Sequence, residues 1–330
     1  MQSENDQNPP DTDLSPLDSY DPLLSDTVEM NALPIFPTET SQPDIPKCYK
    51  AALSHGDAIW LTMKSPAKFT ENEDSVTAFP ISNERGLLVV ADGLGGHRGG
   101  KEASKTVVRG LRREFSAVRN QSRDQKQIEI SGGLKIPVGG PAQLGDADYR
   151  SLLLDQIETT NRRLLKKKTG AATTLALMEI EGNRARSYHV GDSPILIVGQ
   201  RGQLKYETIS HSPVGYAVEA GLLSEHEAIS HENRHLVSNV VGSKDMTVEL
   251  GPWVHLAPRD TILLASDGLF DNLLTVEIVE RIRSGSLQRG VRELARLAID
   301  RMCLPQPNLP SKPDDLTILA YRRRSSTKTD

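Results

Sequence analysis

The sequence predicts an α+β protein whose sheets are mostly antiparallel and flanked by pairs of helices. Two observations carry that expectation. Short apolar runs recur with separators of turn length, and two regions between them keep a helical period. Glu181-Gly182-Asn183 and Gln200-Arg201-Gly202 are too short to hold a crossover helix, so the strands they join must run antiparallel.

In chain order, strands are predicted at Ala58–Met63, Val76–Phe79 and Leu87–Ala91, punctuated by Asn72, Ser82-Asn83 and the stretch from Asp92 to Gly100. A helix is predicted from Lys101 to about Val118. After a Gly/Pro-rich gap from Ser131 to Gly145 comes another, Asp146 to Lys168. In it Tyr149, Leu153, Ile157 and Leu164 share one face, and the lysines at its end suit the C-terminal dipole. Strands follow at Thr173–Ile180, Ala185–Val190, Ile195–Val198 and Leu204–Ile209, then loops with short helices from Ser212 to about Val241. Two more strands, Thr247–Leu250 and Thr261–Ala265, precede helices at Val276–Arg283 and Leu287–Met302. The last helix turns Val291, Leu294, Ala298 and Met302 inward, and a final strand covers Leu316–Tyr321.

Charge is unevenly placed along the 330 residues. Residues 1–46 hold ten of the 44 acidic residues, eight of the twenty prolines and no Lys or Arg, so the remainder carries a small positive excess although the whole chain is at −5. Such a segment cannot bury enough apolar surface to offset its ordering entropy, and it is read as a disordered acidic tail. Cys48 and Cys303 lie far apart with no CxxC spacing, which excludes a zinc-thiolate site or a disulfide framework and favours a reducing cytoplasm. No apolar run approaches the ~18 residues of a membrane span, and no secretion signal opens the chain.

The chemically informative feature is a set of carboxylates at predicted strand ends and turns. They are Glu73-Asp74, Asp92 in Ala91-Asp92-Gly93-Leu94-Gly95-Gly96-His97, Asp192 in Val190-Gly191-Asp192-Ser193, Asp267 in Ser266-Asp267-Gly268-Leu269, and Asp314-Asp315. Two like charges ~4 Å apart repel by ~4 kcal/mol at an effective dielectric of ~20, and a divalent ion removes that cost. Oxygen-only ligands select Mg²⁺ or Mn²⁺ over zinc. A pair of such ions suits displacement at phosphorus, so the set suggests a two-metal phosphohydrolase.

With Gly170-Ala171-Ala172-Thr173-Thr174 added, these motifs occur in the order seen in metal-dependent protein phosphatases of type 2C, and the chain resembles the compact bacterial members from about His55 to Tyr321. The resemblance implies a four-layer αββα sandwich over residues 47–322, between the tail 1–46 and a polar end 323–330. It implies hydrolysis of phosphoserine and phosphothreonine by a hydroxide bridging two Mn²⁺ or Mg²⁺ ions. Asp92 resembles the bridging ligand, Gly93 offers its carbonyl, Asp267 and Asp314 look like ligands of the other ion, and Glu73 and Asp74 hold a metal or its waters. Asp192 matches the acid of a weaker third site. Asp92 and Asp267 are the residues expected to matter most for catalysis. The expected partners are phosphoproteins, the products of a Ser/Thr kinase, met by a cytoplasmic monomer that binds neither nucleic acid nor membrane. The segment from about Lys205 to Val241 corresponds to the family's variable flap beside the cleft.

Two departures stand out. Phe69 occupies the position of the family's phosphate-clamping Arg, with Lys68 beside it, and Leu94 follows Gly93 where many eukaryotic members have His. Two patterns point elsewhere. Gly95 to Lys101 fits GxxxxGK but is followed by Glu102 rather than Ser or Thr, and His231-Glu232-Asn233-Arg234-His235 spells the zincin HExxH.

Overall fold

Alternation of apolar side chains between two packed faces sets the architecture of this computed structural model, which describes residues 44–94, 98–123, 128–130, 134–136 and 146–324. The chain divides into two units, Met1–Ile35 and Phe36–Asp330, and every described residue lies in the second. The elements in order are β1 (Tyr49–Leu53), β2 (Gly56–Met63), β3 (Ser75–Pro80), β4 (Arg85–Ala91), β5 (Gly93–Leu94), α1 (Arg98–Arg123), β6 (Ile128–Ile130), β7 (Leu134–Ile136), α2 (Asp146–Lys167), β8 (Ala172–Thr173), β9 (Leu175–Glu181) and β10 (Arg184–Val190). They continue as β11 (Ile195–Val198), β12 (Leu204–Glu207), α3 (Pro213–Glu219), α4 (Glu225–Ser230), β13 (Glu249–Leu250), β14 (Val254–His255), β15 (Thr261–Ala265), α5 (Asp267–Phe270), α6 (Thr275–Ile282), α7 (Leu287–Cys303) and β16 (Leu316–Arg323).

Two large sheets form, ordered β1-β2-β16-β15-β11-β12 and β13-β10-β9-β4-β3, with β14 also on β10. Every described strand pairing in them is antiparallel. The runs that read as continuously apolar are buried on both faces. In β4, Leu87, Val89 and Ala91 join the cluster under α1 and α2, while Leu88 and Val90 join the cluster between the sheets. In β16, Leu316, Ile318 and Ala320 pack under α6 and α7, whereas Leu319 and Tyr321 enter the inter-sheet cluster. Three apolar clusters therefore separate four layers, helix–sheet–sheet–helix, and the predicted αββα class is what the chain adopts.

The predicted stripes face inward. Tyr149, Leu153, Ile157 and Leu164 are buried against the second sheet, and Val291, Leu294, Ala298 and Met302 against the first. Differences fall at edges and turns. Edge strand β1 escapes the sequence pattern because only Leu53 of its five residues is buried, and β12 stops at Glu207, after which Thr208 leaves the ladder to bond Ile195. Four-residue α5 is too short to show a period.

The predicted tail falls outside the described residues up to position 43. Ile45 is buried with the α7 cluster, and the Pro46 carbonyl accepts from the Arg292 guanidinium at 3.3 Å. At the other end Arg322 and Arg324 bond Thr261 and Asp57, so these arginines serve the fold. Among the described residues no helix is long and apolar enough to cross a membrane.

Candidate metal centre

Each predicted acid sits beside a strand end: Asp92, Asp192 and Asp267 follow β4, β10 and β15, while Glu73-Asp74 and Asp314 precede β3 and β16. Asp92 follows β4, and its backbone is fixed from the next strand: its N–H donates to Thr174 Oγ1 at 2.9 Å, while its carbonyl accepts from the Thr174 N–H at 2.9 Å and Thr173 Oγ1 at 2.6 Å. Thr174 Oγ1 meets Ser193 Oγ at 2.7 Å. Three motifs distant in sequence are thus tied around Asp92 and Asp192 by hydroxyls. Glycine is needed where backbones converge here. A Cβ on Gly93 would lie 2.4 Å from the Gly100 carbonyl of α1, and one on Gly268 would lie 2.0 Å from the Asp315 carbonyl.

The side chains converge as like charges. Burial pushes Asp92 well above the usual carboxylate range, with the charges of Asp74, Asp267, Asp314 and Asp192 adding to it. Asp192 is pushed up to about 8 by burial and then by Asp267 and Asp271. Asp74 and Asp314 each rise to about 7, burial leading and Asp267 contributing to both. Burial alone would raise Asp267 too, but the Lys312 ammonium reverses this and its pKa falls below the ordinary value.

Two lysines answer these acids. Lys312 Nζ lies 2.7 Å from Asp267 Oδ2, 2.6 Å from Asp271 Oδ2 and 3.5 Å from Asp314 Oδ2. Lys68 Nζ lies 2.6 Å from Glu73 Oε2 and 2.8 Å from Asp315 Oδ2. At the departure from the family pattern, then, Lys68 turns inward and Phe69 is 100% exposed.

Asp271 and Lys312 were not singled out in the sequence. The signal for Asp271 was its spacing of four from Asp267, which puts both on one side of a helical turn. No pattern marks Lys312. The paired acids at 314 and 315 part company: Asp314 joins the cluster, while Asp315 accepts from the N–H groups of Ser65 at 2.9 Å and Glu73 at 2.8 Å and so clasps the loop that carries Glu73-Asp74.

Hard divalent cations fit this donor set. Glu73 Oε1, both carboxylate oxygens of Asp74 and Asp267 Oδ1 are buried without a hydrogen-bond partner. Leaving charged oxygens orphaned is costly, and oxygen-only donors suit Mg²⁺ or Mn²⁺. Gly93 stands in the sequence between Asp92 and the close approach of α1, next to the cluster.

A second group, His189, His211 and Glu249, also brings potential ligands together. Its hydrogen bonds argue against a cation there. The His211 Nδ1 lone pair accepts from the Gly191 N–H at 3.1 Å and from Asn239 Nδ2 at 2.9 Å, which leaves the proton on Nε2, 2.8 Å from Glu249 Oε2. His189 Nε2 meets the Ser193 carbonyl at 3.1 Å. The pair braces the Gly191–Ser193 turn from behind. The HExxH pattern fails as well, because α4 ends at Ser230 and His231 is extended, so the two histidines do not share a helix face. The antiparallel sheets remove the parallel βαβ setting a P-loop requires, and Gly95–His97 lie outside the described residues.

Comparison with known proteins gives the family and the fold. The family model for protein phosphatase 2C matches residues 67–296. A putative protein phosphatase 2C-type of Streptococcus pyogenes is 30% identical over 265 residues, covering 78% of this chain and 94% of that protein. The solved serine/threonine phosphatase of S. agalactiae aligns with a TM-score of 0.61 at 26% identity, over 81% of this chain and 98% of that one. The catalytic domain of the phosphatase PstP, solved with two manganese ions, shares the fold with a TM-score of 0.61 at 22% identity, over the same 81% and 98%.

Proposed function

The chain belongs to the protein phosphatase 2C family and is a metal-dependent serine/threonine protein phosphatase; from that premise we propose that its reaction centre is the acidic cluster at the end of the sandwich. The observation that carries the assignment is the imbalance of charge: six crowded aspartates, Asp74, Asp92, Asp192, Asp267, Asp271 and Asp314, against the interposed ammonium of Lys312 and the guanidinium of Arg234, which acts on Asp271.

We assign Glu73, Asp74, Asp92, Gly93, Asp192, Asp267 and Asp314 to holding Mn²⁺ or Mg²⁺. Asp92 would stand at the centre of the set, since the charges of Asp74, Asp267, Asp314 and Asp192 all act on it. Bound ions supply the positive charge that activates water and offsets charge developing on the phosphoryl oxygens. The protein supplies alignment. The Thr173 and Thr174 hydroxyls hold the Asp92 backbone, Asp315 holds the loop of Glu73, and Lys68, with two of its three N–H groups on Glu73 and Asp315, keeps a third for a phosphate oxygen. As a point charge it grips less specifically than a guanidinium fork. Lys312 keeps Asp267 ionised and ready to accept a cation.

The substrates are phosphoproteins. We read them as products of a Ser/Thr kinase and the enzyme as a monomer of the cytoplasm, a reducing compartment that its two free cysteines suit. The test is phosphate release from a phosphoserine peptide. Mn²⁺ should start it, EDTA should stop it, and Asp267→Asn should lower kcat/KM by about 10²-fold or more. A wild type with no Mn²⁺-dependent release would refute the assignment.

A further inference from the structure

Beside the reaction centre the flap and α5 enclose a cavity of about 500 Å³. Its two ends differ in chemistry. One end is shared with the cluster, since Asp192, Asp267 and Asp271 line it. The floor is apolar, with Val214 beneath and half-buried Val218, Ile229 and Phe270 around it. The outer rim carries Glu207 of β12, Glu219 of α3 and Glu225 of α4.

These three carboxylates come from three separate elements. Burial raises the Glu207 carboxyl, and the charges of Glu225 and Glu219 raise it further. Glu225 Oε1 accepts the Thr275 N–H at 2.6 Å, but no hydrogen bond or ion pair reaches the side chains of Glu207 or Glu219 among the described residues. Arg234, the cavity's basic lining residue, is turned to the backbone, its guanidinium on the carbonyls of Ile229 and Ser311.

We infer that this cavity selects phosphoprotein segments in which a Lys or Arg, next to an aliphatic side chain, lies within about three residues of the phosphorylated one, a reach of roughly 3.3 Å per residue. The inference rests on the phosphatase reading and adds the substrate class. The occupant follows from the lining. An aliphatic stem covers Val218, Ile229 and Phe270 while its cationic head meets the unpaired glutamates, and an acidic side chain or a second phosphate is repelled by the same wall. Continuity through Asp192 and Asp267 places the flanking residues here while the phosphate is at the metal centre.

The test uses the Mn²⁺-loaded enzyme and two peptides built on a phosphonate analogue of phosphothreonine that resists hydrolysis. They differ only in carrying two Arg or two Glu within three positions. By fluorescence anisotropy the Arg peptide should bind about tenfold tighter. Glu207→Gln/Glu219→Gln should shrink that ratio to about threefold or less, and ~0.5 M salt on the wild type should do the same without any mutation. Equal binding of the two peptides by the wild type, or a ratio that survives both treatments, overturns the inference. Failure of the phosphatase reading shows separately, as absence of Mn²⁺-dependent hydrolysis of p-nitrophenyl phosphate by the wild type, and the peptide ratio does not depend on turnover.

Discussion

Two clusters of buried carboxylates among the described residues differ in whether a cation answers each acid. On the outer face of the second sheet, Glu179 is 1% exposed yet fully matched: Arg85 Nη1 donates to Oε1 at 2.6 Å, and Arg186 Nη2 and the Tyr188 hydroxyl donate to Oε2 at 3.0 and 2.9 Å. Arg85 also reaches Asp146 and Glu181, and Arg184 pairs with the same two acids. Aromatic rings cover the guanidiniums, Tyr149 lying 4.2 Å from Arg85 and Trp253 4.2 Å from Arg184. At the sandwich end the aspartates repel one another, and four of their family of buried oxygens, counting Glu73, have no partner. Burial by itself therefore does not distinguish a structural acid from a functional one. The local balance of charge does.

Substitution should separate the two sites. Asp92→Asn should lower kcat/KM for a phosphopeptide by about 10²–10³-fold, while raising the melting temperature of the metal-free protein, because one repelling charge is gone. Calorimetry of the EDTA-treated variant checks the second half. Glu179→Ala should do the reverse. It strands Arg186 in the interior, takes one of three carboxylates from Arg85 and should cost about 3–5 kcal/mol in urea unfolding, with the folded fraction keeping near-normal kcat. If both variants lost only activity or only stability, the contrast would be empty.

Acidity gives a second separation. Asp74, Asp192 and Asp314 have folded pKa values of about 7, 8 and 7 against an ordinary 3.8. A carboxyl that holds its proton more tightly in the folded chain than in the unfolded one costs stability as pH rises, beginning near 4 and levelling off near 8. The melting temperature of the metal-free protein should fall across that window, and saturating Mn²⁺ should flatten the fall. A metal-free protein equally stable at pH 5 and pH 8 would count against the cluster. The smallest expected effect belongs to Lys68, which is partly open to solvent. Lys68→Met should raise KM about tenfold with little change in kcat, and Lys68→Arg should restore it.

Much of this was legible in the chain. Turn-length separators required antiparallel strands, and the stripes of Tyr149 to Leu164 and Val291 to Met302 named the faces that pack. Asp92 and Asp267 were readable because Asp-Gly after an apolar run is a local pattern, and the other acids because they stand in turns beside apolar runs. Edge strand β1 and helix α5 were not, since one is mostly exposed and the other is a single turn. Asp315 looked like a twin of Asp314 and proved to be a clasp, a difference of side-chain direction that adjacent positions in one loop cannot reveal.

The sequence by itself determined the antiparallel strands, the inward faces of the helices and most of the acids, because each depends on periodicity or on neighbours within a few positions, while the layer order came from the family resemblance. Tertiary structure decided which acids are paired. Glu179 and Arg186 meet across β9 and β10, Lys312 reaches Asp267 from 45 residues away, Lys68 reaches Asp315 from 247, and the three rim glutamates face one cavity from separate elements. Coulomb energy depends on distance in space and on the surrounding dielectric, and both come into being only when the chain is folded.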